Sequence, residues 1–516
     1  MLKIIHINEP NLIFGFDQKT IDPRDGLVLF GPHQPLYPYS LRIGVIGLQE
    51  DVIEYKNFVA QLNRPILSTQ SKYKVTKSLE RSRPSFPGFE AVFNVKWPVK
   101  PEVELIIGSL EIQKCLKNPN RILRANDLVD LYLNKIRQVE KKEDAKLNLW
   151  FILIPTQIYE TCNASSWGRS IGKGTHEYVE KTEKGQISLS FSEYADYDNK
   201  LARILDTASD FHNLLKARLI QEQITVPVQL IVDKTLRFRN RDTNIPFQEY
   251  LKANFAWTQS TTVYYKLGRL PWKLGDVREG VCYIGLVYKK LPNERERNVC
   301  SAAQMFLKDG DGSVFRGNIG LWESEKPHEY HLDEMSAQEL IGMALDDYKE
   351  KWNIYPNELF IHAKANFNDI EWQGFLNAVQ NRSAHTSLVG ILIKDLNELK
   401  LYRQPYNQLG NYGVMRGTAL IVDEKEGYLC TKGFIPRLNT SNSLEIPRNL
   451  RVKIVRGNAH IETVLKDILA LTKLNYNACA YGDGSPVTLK FSNKIGSILT
   501  SIPDWKVDTR QFMFYI

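Results

Sequence analysis

The chain has 516 residues, 43% of them hydrophobic and 24% charged, which excludes a wholly disordered or fibrous protein and leaves room for two or more domains. Its 67 basic and 59 acidic residues leave a net charge of +8, which permits a polyanionic partner without demanding one. No run of 18 apolar residues and no secretory core after Met1 argue against a membrane span or export, and six cysteines without a CxxC pair point to the reducing cytoplasm.

In chain order, LKIIHI (2–7) reads as a strand and IDPRDGLVLFGP (21–32) as turn-rich. RSRPSFPGFEAVF (81–93) reads as an ordered loop entering a strand. Residues 110–142 are helical in pattern, and LNLWFILIP (147–155) is a buried strand stopped by proline. After a polar, glycine-bearing excursion over 163–195, residues 198–220 put Leu201, Ile204, Leu205, Ala208, Phe211 and Leu215 at helical spacing. VPVQLIV (226–232) is the next buried strand, and strand–helix–strand order predicts a parallel α/β layer.

The second half predicts a strand at 281–290, a hairpin over 302–317 turning at DGDG (309–312), and a helix over 335–350 leading to a strand at 358–365. A hairpin over 417–434, a helix over 460–474 and a strand running into a helix over 487–499 complete a mixed sheet. The expected boundary is near 255, giving domains 1–255 and 256–516.

Several motif matches fail on spacing. GRSIGKG (168–174) has three residues between its first two glycines where a Walker loop needs four, and Gly174 follows the lysine. DGDG has Gly320 where a calcium loop needs a bidentate Glu. His328 and His331 have no third ligand nearby and read as a surface pair. No GxSxG, HExxH or GxGxxG pattern occurs, so NAD is not expected in this chain.

His212 and Lys216 stand four residues apart on one helical face. On spacing alone they read as a half-buried histidine beside a snorkelling lysine. Context changes that reading. Gln229 lies on the following strand, and Lys266 ends a predicted helix just before Pro271-Trp272. This succession resembles the Argonaute family, whose middle (MID) domain holds a guide 5′ phosphate with a Tyr-x3-Lys pair, a strand Gln and a second Lys before a "PW". Here His212 takes the Tyr position, and Lys216, Gln229 and Lys266 match the rest. Three potentially cationic donors and an amide suit a terminal phosphate with a charge near −2.

The resemblance continues through MRGTALIV (415–422), YLCTKGFIP (428–436), ALTKLNYNA (470–478) and DGSPVTLKFSNKIG (483–496) to the terminal FMFYI. It implies a Rossmann-like MID domain followed by an RNase H-like PIWI domain. With no PAZ-sized block ahead of the MID region, the chain resembles short prokaryotic Argonautes that work with a TIR–APAZ or sirtuin-type–APAZ effector chain. The family's C-terminal carboxylate often helps hold a divalent ion, so Mg²⁺ held by Ile516, Gln229 and guide phosphates is implied.

Slicing in this family needs a carboxylate cluster holding two metals. The matching positions here are Val287, Lys364 and Asn493, so a protein that binds nucleic acid without cutting it is expected. Arg237, Arg239 and Arg241 are candidate contacts to the nucleic-acid backbone, with a solvated basic edge as the equal alternative; Arg416 is a weaker candidate. The resemblance implies a 5′-phosphorylated guide RNA, a complementary single-stranded DNA target and an NAD-consuming partner as heterodimer, with oligomerisation on target binding left open. Three alternatives stay open: a guide-directed nuclease with a non-standard metal site, a soluble α/β metabolic enzyme, and a scaffold that binds no guide.

Overall fold

The structure, a computed structural model, describes residues 2–37, 40–68, 84–141, 146–162, 210–275, 278–290, 298–306, 312–321, 330–396, 399–402, 413–438, 449–502 and 510–516. The expected helix at 198–220 is therefore described from 210 onward, and GRSIGKG and most of DGDG lie outside the described residues.

Four apolar runs build the smaller sheet. Its strands are all parallel, in the order Val103–Ile106, Ile43–Gly47, Leu149–Ile154, Val228–Val232. Every residue of Leu149–Ile154 is buried, as a parallel strand covered on both faces requires. The order reverses between Ile43–Gly47 and Leu149–Ile154, which places the topological switch point of a Rossmann-like sheet there. The helical pattern over 110–142 splits into Ser109–Leu116 and Arg121–Glu140. Pro119 disfavours helix in the residue before it, and the Asn120 side chain caps the second helix by accepting from the Ile122 and Leu123 N–H groups.

The larger sheet has ten strands. Val281–Lys290, Asn298–Phe306 and Gly312–Leu321 form an antiparallel meander. Glu358–Ala363 then lies parallel to the first of these, and Ser387–Leu396 lies parallel beyond it. This is RNase H-like topology. Asn449–Arg456, the hairpin of Thr418–Ile421 and Glu426–Leu429, and finally Lys3–His6 extend one edge. The N-terminal strand thus belongs to the sheet of the C-terminal half, and residue 255 falls inside the helix Glu249–Lys266.

Three local expectations are corrected. IDPRDGLVLFGP holds a helix, Pro23–Phe30, because proline opens it, the Asp22 side chain accepts from the Arg24 N–H, and Gly31 closes it at φ 72°. Phe89–Phe93 is a short helix in place of a strand; its two phenylalanines pack with ring centroids 5.1 Å apart, and Phe93 stacks on Tyr264 at 4.7 Å. Val487–Lys490 is helical although its alternation suits a strand. This turn crosses the Val281–Lys290 strand at Gly285, where a Cβ would stand 1.9 Å from the Thr488 carbonyl oxygen, so only glycine fits.

The two halves are knitted around Trp272. Its indole N–H donates to the Lys473 carbonyl at 3.0 Å, its own carbonyl accepts from Tyr476 at 2.7 Å, and the ring is fully buried.

Candidate nucleic-acid site

The helix Phe211–Gln221 begins with Asp210, whose carboxylate accepts from the Asn213 N–H at 2.9 Å. This cap sets the helix phase and puts His212 one turn before Lys216. The helix Glu249–Lys266 ends on Lys266. Lys216 and Lys266 are each only 2% exposed. Lys266 donates to the Val228 carbonyl at 2.8 Å and to Gln229 Oε1 at 2.7 Å. Lys216 donates to the Tyr515 carbonyl at 3.3 Å and to a main-chain oxygen of Ile516. Two hydrogen-bonded sets result, Lys266 with Gln229 and Lys216 with Ile516, and the charge of Lys266 acts on Lys216 while both act on His212.

A further member escaped the sequence reading. Lys494 lies in the helix Ser492–Leu499, one residue from Asn493, and its charge acts on the other three cationic groups. Burial, then the charge of Lys216, holds His212 well below its ordinary pKa. Burial, then Lys494 and Lys266, does the same to Lys216; burial and Lys494 do so to Lys266. Burial pulls Lys494 down to about 8. No carboxylate side chain offsets these shifts among the described residues. Such a pocket is short of side-chain negative charge, which a bound dianion would supply.

Proton uptake follows. The depressed groups gain protons when an anion arrives, so affinity for a terminal phosphate falls as pH rises through about 8, the value for Lys494. Calorimetry at pH 8 in buffers of different ionisation enthalpy should read about one proton or more taken up per ligand. Zero uptake would contradict the electrostatics of the pocket. Without ligand the sign is the opposite: the unfolded chain binds the extra proton, so Lys494 adds stability as pH rises from about 8 towards 10.5.

Beside the cation cluster opens a cavity of about 740 Å³, whose lining includes Tyr159, His212, Asn213, Arg239, Arg241 and Lys494. The Arg241 guanidinium sits 5.1 Å from the Tyr159 ring centroid, and Arg239 donates to the Asn244 carbonyl at 3.1 Å. Arg237 turns elsewhere, to Asp51, Asp233 and Glu54. Of the three arginines, two face the cavity and one faces carboxylates.

Arg416 is corrected from a backbone contact to an internal brace. It is buried, and its guanidinium donates to both Glu9 carboxylate oxygens at 3.0 Å, to the Asp483 carbonyl at 3.3 Å, and to Thr431 and Thr472. Lys473 shares Glu9 at 2.8 Å. Arg416→Ala should therefore destabilise the protein by about 3–5 kcal/mol, the cost of breaking a buried pair. A lowered thermal midpoint would check this; an unchanged midpoint would count against the brace.

The expected slicer positions lie on or next to neighbouring elements. Val287 lies in the strand Val281–Lys290 and pairs with Ala302. Lys364 follows the end of the strand Glu358–Ala363, whose parallel register with Val281–Lys290 runs from Glu358↔Val281 to His362↔Gly285. The helix carrying Asn493 packs against Val281–Lys290. Nearby His362 is buried, with Nδ1 2.9 Å from Thr488 Oγ1, and burial pulls it down to about 3, so it is a neutral packing group. Among the described residues no group of three or more His, Cys, Asp or Glu is arranged to hold a metal ion. His331 is half-buried, with Nδ1 3.4 Å from Oε2 of the buried Glu371, and His328 lies outside the described residues. No described helix is long and apolar enough to cross a membrane.

A parallel Rossmann-like sheet joined to an RNase H-like sheet is the MID–PIWI architecture. Solved Argonautes share it. The Argonaute of Clostridium butyricum, bound to a guide DNA with a 5′ deoxycytidine and a 19-mer target DNA, matches with TM-score 0.63 at 14% identity, covering 100% of this chain and 55% of that one. Aquifex aeolicus Argonaute matches with TM-score 0.52 at 14% identity over 99% of this chain and 55% of that one. The same organism's protein with externally bound siRNA gives 0.53 at 14% identity over 99% and 56%. At such identity the likeness establishes the fold, and the chain spans about half the length of the Argonautes it matches. Neither a family model nor a curated relative matches the sequence.

Proposed function

We propose that this protein is the guide-binding, target-sensing subunit of a prokaryotic defence complex. It holds a 5′-phosphorylated guide RNA by the phosphate, pairs the guide with complementary single-stranded DNA, and leaves that DNA uncut. Pairing then activates an NAD-consuming effector chain of the TIR–APAZ type, or alternatively the sirtuin type, held as a heterodimer. The observation that carries this reading is the convergence of His212, Lys216, Lys266 and Lys494 on one buried pocket with no side-chain carboxylate to neutralise them.

The chain's own residues account for binding in three parts. The lysines pay for their burial only when a phosphate completes their hydrogen bonds. The adjoining cavity, with Tyr159 and two arginines on its wall, accepts the first nucleotide. Contacts to the rest of the guide go to phosphates, so any sequence is accepted and base pairing does the reading. Mg²⁺ would be held by the Gln229 amide oxygen, which now accepts from Lys266, by a main-chain oxygen of Ile516 and by guide phosphate oxygens, all hard ligands. When bound it would neutralise phosphate charge. The choice of RNA guide and effector type rests on the resemblance of the motifs.

The test is the affinity for one RNA carrying either a 5′ phosphate or a 5′ hydroxyl, with Mg²⁺. A strong phosphate preference supports the reading. Equal, steeply salt-dependent binding of both would mean a generic basic surface and end it.

A further inference from the structure

Between the last strand of the smaller sheet and the helix Glu249–Lys266 the chain forms a self-braced arm. Arg239 and Pro246 pair at its base in an isolated antiparallel bridge. Within it, the Asn240 N–H donates to the Ile245 carbonyl at 2.9 Å and the Asn244 N–H to the Asn240 carbonyl at 2.8 Å. The Asn240 side chain accepts from the Asp242 and Thr243 N–H groups, each at 2.9 Å. These bonds are satisfied inside the arm, so it can swing as one piece without breaking them.

The root of the arm is fixed. The Phe247 N–H donates to the Phe238 carbonyl at 2.7 Å, and the two rings pack on Phe255 with centroids 5.7 and 5.8 Å away. Phe238 is buried at φ 50°, a left-handed conformation that a bulky residue holds only where its surroundings impose it. The tip differs. Residues 240–246 are all exposed, Ile245 at 63%, so apolar burial does not anchor them. The tip is tied to the body at Arg241, whose guanidinium rests on the Tyr159 ring and whose carbonyl accepts from Lys234 at 3.2 Å. An exposed cation–π contact and a solvent-side hydrogen bond are weak ties, and segments with few buried contacts open locally at low cost. The arm is also a wall of the cavity: Arg239, Asn240, Arg241 and Asp242 line it, together with His212 and Lys494 of the cation cluster.

We propose that residues 239–246 form a lid over this cavity, latched by Arg241 on Tyr159, which opens to admit or release the first nucleotide of a 5′-phosphorylated guide. The ligand rests on the guide-binding reading; the lid does not. An incoming guide offers Arg241 a phosphate oxygen, a charge-assisted partner stronger than the ring face, and leaves the Tyr159 ring to the base. The lid is then held more firmly over a bound guide than over an empty cavity, the differential contact that a ligand needs in order to shift a two-state element.

The test uses the full chain and the variant Arg241→Ala, whose substituted side chain is 56% exposed and carries no core packing. Cys162 lines the same cavity and is 2% exposed, so the rate at which a maleimide labels it, followed by mass spectrometry, reads lid opening without any guide. That rate should rise about threefold or more in Arg241→Ala, because the open state is no longer held down by the latch. Stopped-flow mixing with one 5′-phosphorylated RNA should show association and dissociation both faster in the variant. Loss of a phosphate contact alone would slow association while hastening dissociation. Unchanged labelling of Cys162 overturns the lid, and so does slower association. Equal binding of 5′-phosphate and 5′-hydroxyl RNA by the unmodified protein is a separate failure, that of the guide reading, and the labelling rate then decides the lid by itself.

Discussion

Lys216→Ala/Lys266→Ala should bind 5′-phosphorylated and 5′-hydroxyl RNA equally, whereas the unmodified protein should prefer the phosphate by about a hundredfold or more. Each lysine would make a charge-assisted hydrogen bond to the phosphate, worth about 1.5–3 kcal/mol. Two such bonds give about 3–6 kcal/mol, and each 1.4 kcal/mol is a factor of ten. The substitutions also strip donors from Gln229 Oε1, the Val228 carbonyl and the Ile516 main chain, so the fold needs a separate check by circular dichroism. The informative quantity is the ratio of the two affinities, because a general loss of stability lowers both alike. A ratio that survives in the folded double variant would remove the pocket from the mechanism.

The second large effect is an absence of chemistry. A guide-loaded preparation should leave complementary single-stranded DNA intact with either Mg²⁺ or Mn²⁺. Two-metal hydrolysis needs carboxylates to hold both ions against the scissile phosphate. Valine at position 287 offers no ligand, and Lys364, exposed just after the neighbouring strand, would bring a positive charge in place of a carboxylate. A DNA product cut at a fixed distance from the guide 5′ end, and lost in Lys216→Ala, would favour the nuclease alternative.

The motif resemblance picks out His212, Lys216, Gln229 and Lys266, since spacing alone reads as a half-buried histidine beside a snorkelling lysine, and the structure puts the charges of His212, Lys216 and Lys266 within reach of one another. His212 and Lys216 share a face by helical spacing, and Gln229 and Lys266 lie on the next elements in chain order. Lys494 was not legible, since nothing local distinguishes it from any lysine in an amphipathic turn; only the packing of Ser492–Leu499 carries it there. Arg416 was misread because its partners are remote. Beside Gly417 and Thr418 it looks like a surface residue, yet Glu9, at the other end of the chain, holds it inside. The strand expected at the start of 487–499 failed for a similar reason. Its alternation satisfies a period of two, while the close crossing at Gly285 admits a helical turn. The order of the larger sheet was out of reach too, because pairing Lys3–His6 with Thr418–Ile421 is a contact that no local pattern encodes.

The small three-stranded sheet at the junction bears on how the two halves of the chain are joined. The chain enters the smaller domain after Lys3–His6 and leaves it after Glu249–Lys266, and the two crossing stretches pair with each other at Leu12↔Leu274 and Ile13↔Lys273. Two separate tethers would let the lobes slide, twist or splay. Laced together, they form one seam in place of two loose straps, and with the buried Trp272 contacts they fix the register of one half against the other.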